Sequence, residues 1–211
     1  MIDATLAVIA KAPAPGRSKT RLCPPLSPVQ AAELAEAALC DTLAAVQAAR
    51  VVRKVLVLDG LPGPWVDERT QIVAQRGEGL DERLASAFAE LPGPTLIVGM
   101  DTPQVSSRLL ECALGELAAA DSVLGPAADG GYWAIGLRNG DPRAVVGVPM
   151  SSPHTLAAQR QRLHELGHAV RELPTLRDVD TYADAAAVAI DAPDTAFARA
   201  FAALGAMRAA A

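Results

Sequence analysis

Short apolar runs of strand length recur along this chain with helical stretches between them, and that alternation limits the fold more than any other feature. The runs are TLAVIA (Thr5–Ala10), KVLVLDG from Lys54, QIVAQ from Gln71, TLIVGMD from Thr95 and SVLGPA from Ser122. Stretches such as LDERLASAFAEL and SSRLLECALGELAAA separate them with helical periodicity. Continuously apolar strands that alternate with helices are buried on both faces, as in a largely parallel sheet covered on each side. The expected fold is a three-layer α/β/α, Rossmann-like domain.

Local signals refine the frame. Ser27, Pro28 and Gln30 mark a helix start that should run to about Ala49. After Ala128 the rhythm changes: DGGYWAIGL reads as a turn into an inserted or antiparallel strand, SPHTLAAQRQRLHEL as a helix, and HAVRELP as a return to the sheet. Two Ala-rich helices, from about Thr181 and Asp194, close the chain, and the final RAAA is expected to fray.

Composition narrows the function. With a formal charge of −5, the chain lacks the broad excess of Lys and Arg that binding to nucleic acid or a membrane surface needs. No apolar run approaches the roughly 20 residues of a bilayer span, and the start lacks a basic region followed by a long apolar core. A cytoplasmic protein is expected. Cys23, Cys40 and Cys112 are odd in number and widely spaced; they read as reduced thiols, the last two on inner faces of helices.

Against the acidic balance, AKAPAPGRSKTRL gathers Lys11, Arg17, Lys19 and Arg21, and no Asp or Glu occurs between Asp3 and Glu33. A loop after the first strand lies at the carboxyl end of the sheet, where such folds bind ligands. Gly16 lets the backbone approach closely, and the cations can neutralise phosphate oxygens. The order matches neither G-x-x-x-x-G-K-[ST] nor G-x-G-x-x-G, so side chains would do most of the gripping.

Carboxylates form a second group. Asp101 follows the apolar run TLIVGM and so stands at the carboxyl end of a central strand, where Thr102-Pro103 stops the sheet. In DVD, Asp178 and Asp180 can face the same way while Val179 faces the core, because extended residues two apart share a side. Hard oxygen ligands of this kind suit Mg2+ (or Mn2+), with waters and substrate phosphates completing the shell. Asp184 instead completes a helix capping box with Thr181.

A third group is GPAADGGYWAIGL, where Asp129, Gly130 and Gly131 make a turn whose backbone can approach a ligand, with the Tyr132 hydroxyl beside it. HELGH (His164 to His168) satisfies H-E-x-x-H, the zinc-protease pattern. Gly167, however, falls where a helix ending at Leu166 takes its left-handed residue. His168 then starts a strand, off the helical face that zinc would need.

Together, KAPAPGRSKTRL, VGMDTP, GPAADGGYWAIGL and DVDT resemble a bacterial family with the nucleotide-diphospho-sugar transferase (GT-A-like) fold, often labelled glycosyltransferase. The KTRL segment (Lys19 to Leu22) is similar to that of phospholactate guanylyltransferase, and the carboxylate layout to molybdenum-cofactor nucleotidyltransferases. The resemblance spans nearly the whole chain and implies one such domain over residues 1–211. It implies that Lys11, Gly16, Arg17, Lys19 and Arg21 bind the nucleotide, that Asp101, Asp178 and Asp180 hold the metal, and that Asp129 to Tyr132 form an acceptor loop. Lys19, Arg21 and Asp101 would carry catalysis. EGLDERL matches a family segment reading Gly-x-Leu-Gly-x-Arg, which implies a nucleotide or acceptor contact for Arg83, although Asp81 stands where the family has Gly. Met150 likewise replaces a Trp before Ser.

The resulting expectation is a Mg2+-dependent transferase of activated nucleotides, foremost a nucleotidyltransferase joining a nucleoside monophosphate unit to a small phosphorylated acceptor with release of pyrophosphate. The alternatives are a glycosyltransferase using a nucleotide sugar and a sugar acceptor, and a nucleotide-binding protein without turnover. Four loop cations exceed what a diphosphate needs, which favours the first.

Overall fold

The computed structural model describes residues 1–68 and 70–209, with side chains to residue 206. In chain order the elements are β1 (Ile2–Lys11), α1 (Pro28–Ala48), β2 (Val51–Asp59), β3 (Gln71–Ala74), α2 (Leu80–Glu90), β4 (Thr95–Gly99), α3 (Ser107–Ala119), β5 (Ser122–Pro126), β6 (Tyr132–Leu137), α4 (Thr155–Glu165), β7 (Val170–Glu172), α5 (Tyr182–Asp191) and α6 (Ala196–Ala209). Of the terminal RAAA, residues 210 and 211 lie outside the described residues.

Among the described residues seven strands form one sheet in the order β3-β2-β1-β4-β6-β5-β7. β6 runs antiparallel to both neighbours, and the other pairings are parallel. The apolar strands alternate sides with period two. Leu6, Val8, Leu96 and Val98 pack with Leu39 and Leu43 of α1 and Leu110 and Leu114 of α3. Ala7, Val57, Ile97 and Ile135 pack on the opposite face with Leu84 and Phe88 of α2 and Leu163 of α4. The expected three layers follow directly.

α1 opens with the anticipated capping box, in which the Ser27 Oγ accepts from the Gln30 N–H and the Gln30 Oε1 accepts from the Ser27 N–H. Its second buried side, Ala31, Leu34 and Ala38, meets Val188 of α5 and Phe197 of α6 in a third apolar cluster that also holds Leu22 and Val179. Both carboxylate oxygens of Asp41 on α1 accept from the start of α6, from the N–H of Ala196 and of Phe197 at 2.8 Å each. The Thr181–Asp184 box caps α5 as expected. α4 stops at Glu165, Gly167 adopts φ 76, and the His168 N–H folds back to the Leu163 carbonyl at 3.0 Å. The two histidines therefore share no helical face.

The cysteine expectation needs correction. Cys112 is exposed and Cys40 only half-buried, because Leu110, Ala113, Leu114 and Leu117 take the inward stripe of α3. Among the described residues no helix is long and apolar enough to cross a membrane.

Strand order sets the site. β1, β2 and β3 progress to one side, and β4 then starts on the other side of β1. Such a reversal leaves a crevice at the carboxyl ends of the two adjacent strands. Because β6 is antiparallel, its amino end at Tyr132 joins the same edge.

Candidate nucleotide cleft

A cleft of about 580 Å³ opens at this reversal, walled by the loop after β1, the end of β4, the start of α2, β6 and the segment carrying Asp178 and Asp180. The loop is shaped locally. Arg17 and Ser18 donate backbone N–H bonds to the Ala14 carbonyl at 3.1 and 3.0 Å, and the Ser18 Oγ accepts from the Ala14 N–H at 3.0 Å. Gly16 turns the chain at φ 75 with open space around it. A single 3-10 turn over Thr20–Leu22 then anchors the loop through buried Leu22.

Lys19 precedes that turn with left-handed backbone, φ 50 and ψ 40. Non-glycine residues rarely adopt this region, and where they do the surroundings must hold it. The consequence is an inward side chain: Lys19 is 8% exposed, Arg21 73%. Lys19 Nζ lies 2.8 Å from Asp101 Oδ1 and 3.4 Å from Asp180 Oδ1, while Arg21 Nη1 lies 3.2 Å from Asp180 Oδ2. Lys11 and Arg17 also line the cleft, are exposed, and have no ion pair among the described residues. They border a second cavity of about 380 Å³ as well, toward Asp59 and Leu61.

The aspartates are drawn together by main-chain bonds. The Val179 N–H donates to the Asp101 carbonyl at 2.9 Å, and the Gln104 amide donates to the Arg177 carbonyl at 2.7 Å. Val179 is buried at 1% exposure, which leaves Asp178 and Asp180 lining the cleft. Burial, reinforced by Asp101, Asp129 and Asp180 against the opposing Lys19, pushes the Asp178 carboxyl up to about 7. For Lys19, burial pulls the ammonium down, but Asp101 and then Asp180 and Asp178 outweigh it and hold it above its ordinary value.

These residues suit a hard divalent cation. Asp178 Oδ1 is buried without a hydrogen-bond partner, so one hard oxygen remains to be satisfied. Among the described residues no three His, Cys, Asp or Glu side chains already form a metal cage. A cation that keeps waters and shares its shell with phosphate needs only one or two carboxylates.

Arg83 lines the cleft but is engaged internally, through Nη1 to Asp59 Oδ2 at 2.9 Å and Gln75 Oε1 at 3.2 Å, and through Nε to the Gly77 carbonyl at 3.1 Å. Asp81 ties the start of α2 to the Gly147 N–H at 2.9 Å. In the expected acceptor loop, Asp129 Oδ1 accepts from the Gly131 N–H at 2.8 Å, a turn-forming bond. Gly130 sits at φ 92 with its backbone so close that a Cβ would lie 2.2 Å from the Pro153 carbonyl oxygen. Asp129, Gly130 and Gly131 do not line the cleft, whereas Tyr132 does. The Tyr132 hydroxyl is committed to Gln159 Oε1 at 3.3 Å and Met150 Sδ at 3.5 Å. Burial, then Asp81, holds that phenol above its ordinary range, so it serves as a donor.

Lining or supporting residues that were not anticipated include Asp59, Gln75, Thr102 and Ser151. Asp59 ends an apolar run as Asp101 does, which is a usable signal. Thr102 is buried with an unpartnered hydroxyl, and Ser151, at φ 54, joins Lys19 as a left-handed non-glycine residue on the cleft wall. Nothing in their local sequence marks Gln75 or Ser151.

No match was found among curated proteins. The structure is similar to a "putative nucleotide-diphospho-sugar transferase" from Desulfovibrio desulfuricans G20, with a TM-score of 0.86 and 25% identity over 99% of this chain and 96% of that one. It is similar in fold to CMP:2-keto-3-deoxy-manno-octonic acid synthetase complexed with CTP, with a TM-score of 0.59 and 13% identity over 91% of this chain and 99% of that one. It is also similar in fold to Rv0371c from Mycobacterium tuberculosis H37Rv in complex with manganese, with a TM-score of 0.55 and 20% identity over 88% of this chain and 97% of that one. The first is described as a nucleotide-diphospho-sugar transferase and the second as a synthetase with bound CTP, in keeping with the resemblance carried by the motifs. Residues 29–152 match the family described as "Uncharacterized protein conserved in bacteria (DUF2064)", and the chain belongs to that family.

Proposed function

We propose that this cleft transfers a nucleotidyl group from a nucleoside triphosphate to a small phosphorylated acceptor. One observation carries the reading: a cation-rich loop and three aspartates line a single cleft where strand order reverses. An acceptor phosphate oxygen attacks the α-phosphorus, the bond from that phosphorus to the bridging oxygen breaks, and pyrophosphate leaves with the electron pair. The nucleophile is already an anion, so no proton has to be removed. This accords with the absence of His and Cys from the described residues that line the cleft.

Lys11, Arg17 and Arg21 would take up the β- and γ-phosphates and stabilise the charge that gathers on the departing pyrophosphate. Asp101, Asp178 and Asp180 would hold Mg2+ or Mn2+, which when bound neutralises phosphate oxygens. The manganese in the Rv0371c structure and the CTP in the synthetase structure support this reading. Positioning and charge, rather than covalent chemistry, supply the rate. Glycosyl transfer from a nucleotide sugar is the second reading, favoured by the description of the Desulfovibrio protein.

The leaving group separates them. The chain is incubated with Mg2+, each nucleoside triphosphate and a panel of phosphorylated acids and sugars, and pyrophosphate is followed by a coupled assay. Acceptor-dependent pyrophosphate is the expected result. Acceptor-dependent nucleoside diphosphate from a nucleotide sugar, with no pyrophosphate from any triphosphate, replaces the first reading by the second.

A further inference from the structure

Lys19 sits between two of the three carboxylates that a divalent cation would use. Its ammonium, on a side chain 8% exposed, touches Asp101 Oδ1 at 2.8 Å and faces Asp180 Oδ1 at 3.4 Å. Arg21 reaches only the other oxygen of Asp180, from the solvent side. The Lys19 placement is built: left-handed backbone turns the residue inward, and buried Leu22 holds the turn that follows. A divalent cation seeks the same oxygens, and two positive charges at contact distance repel. Occupancy of Asp101 Oδ1 and Asp180 Oδ1 by the ammonium therefore opposes binding of a cation to those same oxygens.

We propose that Lys19 is the resident counter-ion of the metal-free site, and that a divalent cation enters by displacing its ammonium from Asp101 and Asp180 into the cleft. The inference rests on the reading of these aspartates as cation ligands. A lysine suits the exchange, because its point charge rides on a flexible four-carbon stem and its three donors reorient freely. The displaced ammonium adds to the positive charge facing the phosphates. Metal entry and capture of a polyphosphate are then coupled, since each favours the same position of Lys19.

The chain has three lysines, Lys11, Lys19 and Lys54, which permits a direct test. Trace acetylation of the full-length wild-type protein, resolved by mass spectrometry, is compared without metal and at Mn2+ saturation established by calorimetry. Lys19 labelling should rise at least about fivefold relative to Lys54 when Mn2+ binds. In parallel, Lys19→Met, which lacks the competing charge, should bind Mn2+ at least about tenfold more tightly than wild type. Unchanged Lys19 labelling in Mn2+-saturated wild type overturns the displacement whatever the variant does, and leaves the aspartate site standing. If Lys19→Met does not fold, the labelling alone decides. Mn2+ bound by neither protein overturns the metal reading and the displacement together.

Discussion

Asp178 offers a measurable conflict between burial and charge in the metal-free protein. Its carboxyl is held at about 7, against an ordinary value of 3.8. Between those values the native state keeps a proton that the unfolded chain has released. The native state therefore binds more protons, and stability falls as pH rises through this window. The penalty is absent below the ordinary value and complete above about pH 7. Each pH unit within the window is worth about 1.4 kcal/mol. Asn has nearly the same shape and cannot ionise, so Asp178→Asn should exceed wild type in stability at pH 8. From pH 5 to pH 8 the gap between them should widen by about 3 kcal/mol. Urea unfolding of both proteins in EDTA, at several pH values, reads this directly. A gap that is constant with pH, or larger at pH 5, refutes the claim that burial, with Asp101, Asp129 and Asp180 nearby, opposes the ionisation of Asp178.

Other expectations follow from the same geometry. Asp101→Asn removes a hard anionic ligand while keeping volume, so turnover should fall at least about a hundredfold with the far-ultraviolet spectrum unchanged, and wild-type activity that persists in EDTA contradicts this. Arg17→Ala and Arg21→Ala should each weaken nucleoside triphosphate binding by about 1.5 to 3 kcal/mol in calorimetry, with little change in the unfolding temperature of the free protein. Asp41→Ala removes both acceptors at the start of α6 and should cost about 1 to 2 kcal/mol in urea unfolding. Triphosphate affinity at temperatures where this variant remains folded should not move.

The parts of the fold that depend on local pattern were legible. Apolar runs between helices implied the covered sheet, the break after Ala128 marked an inserted or antiparallel strand, which is antiparallel β6, and Ser27–Gln30 and Thr181–Asp184 located helix starts to the residue. The facing of Asp178 and Asp180 followed from two-residue periodicity. Pairings between distant segments were not legible, because nothing near Lys19 says that Asp101 and Asp180 will meet it. Arg83 could not be seen to spend its donors on Asp59, Gln75 and Gly77. Tyr132 faced the expected edge, yet its hydroxyl found Gln159 and Met150, a choice made by packing against α4 and the segment before it. Asp129 behaved as Asp does in most turns.

Leu22 and Val179 belong to one apolar cluster, built from α1, α5 and α6 and distinct from the two clusters that cover the sheet. Leu22 follows Arg21 directly, and Val179 lies between Asp178 and Asp180. A single hydrophobic knot thus anchors both the cationic arm and the carboxylate arm of the cleft. Folded domains open in cooperative parts, and a part can open while the rest stands. Loosening this knot would pull the opposing charges apart with the sheet intact. The two arms of the cleft thus depend on the docking of the terminal helices, whereas the floor of the cleft depends on the sheet.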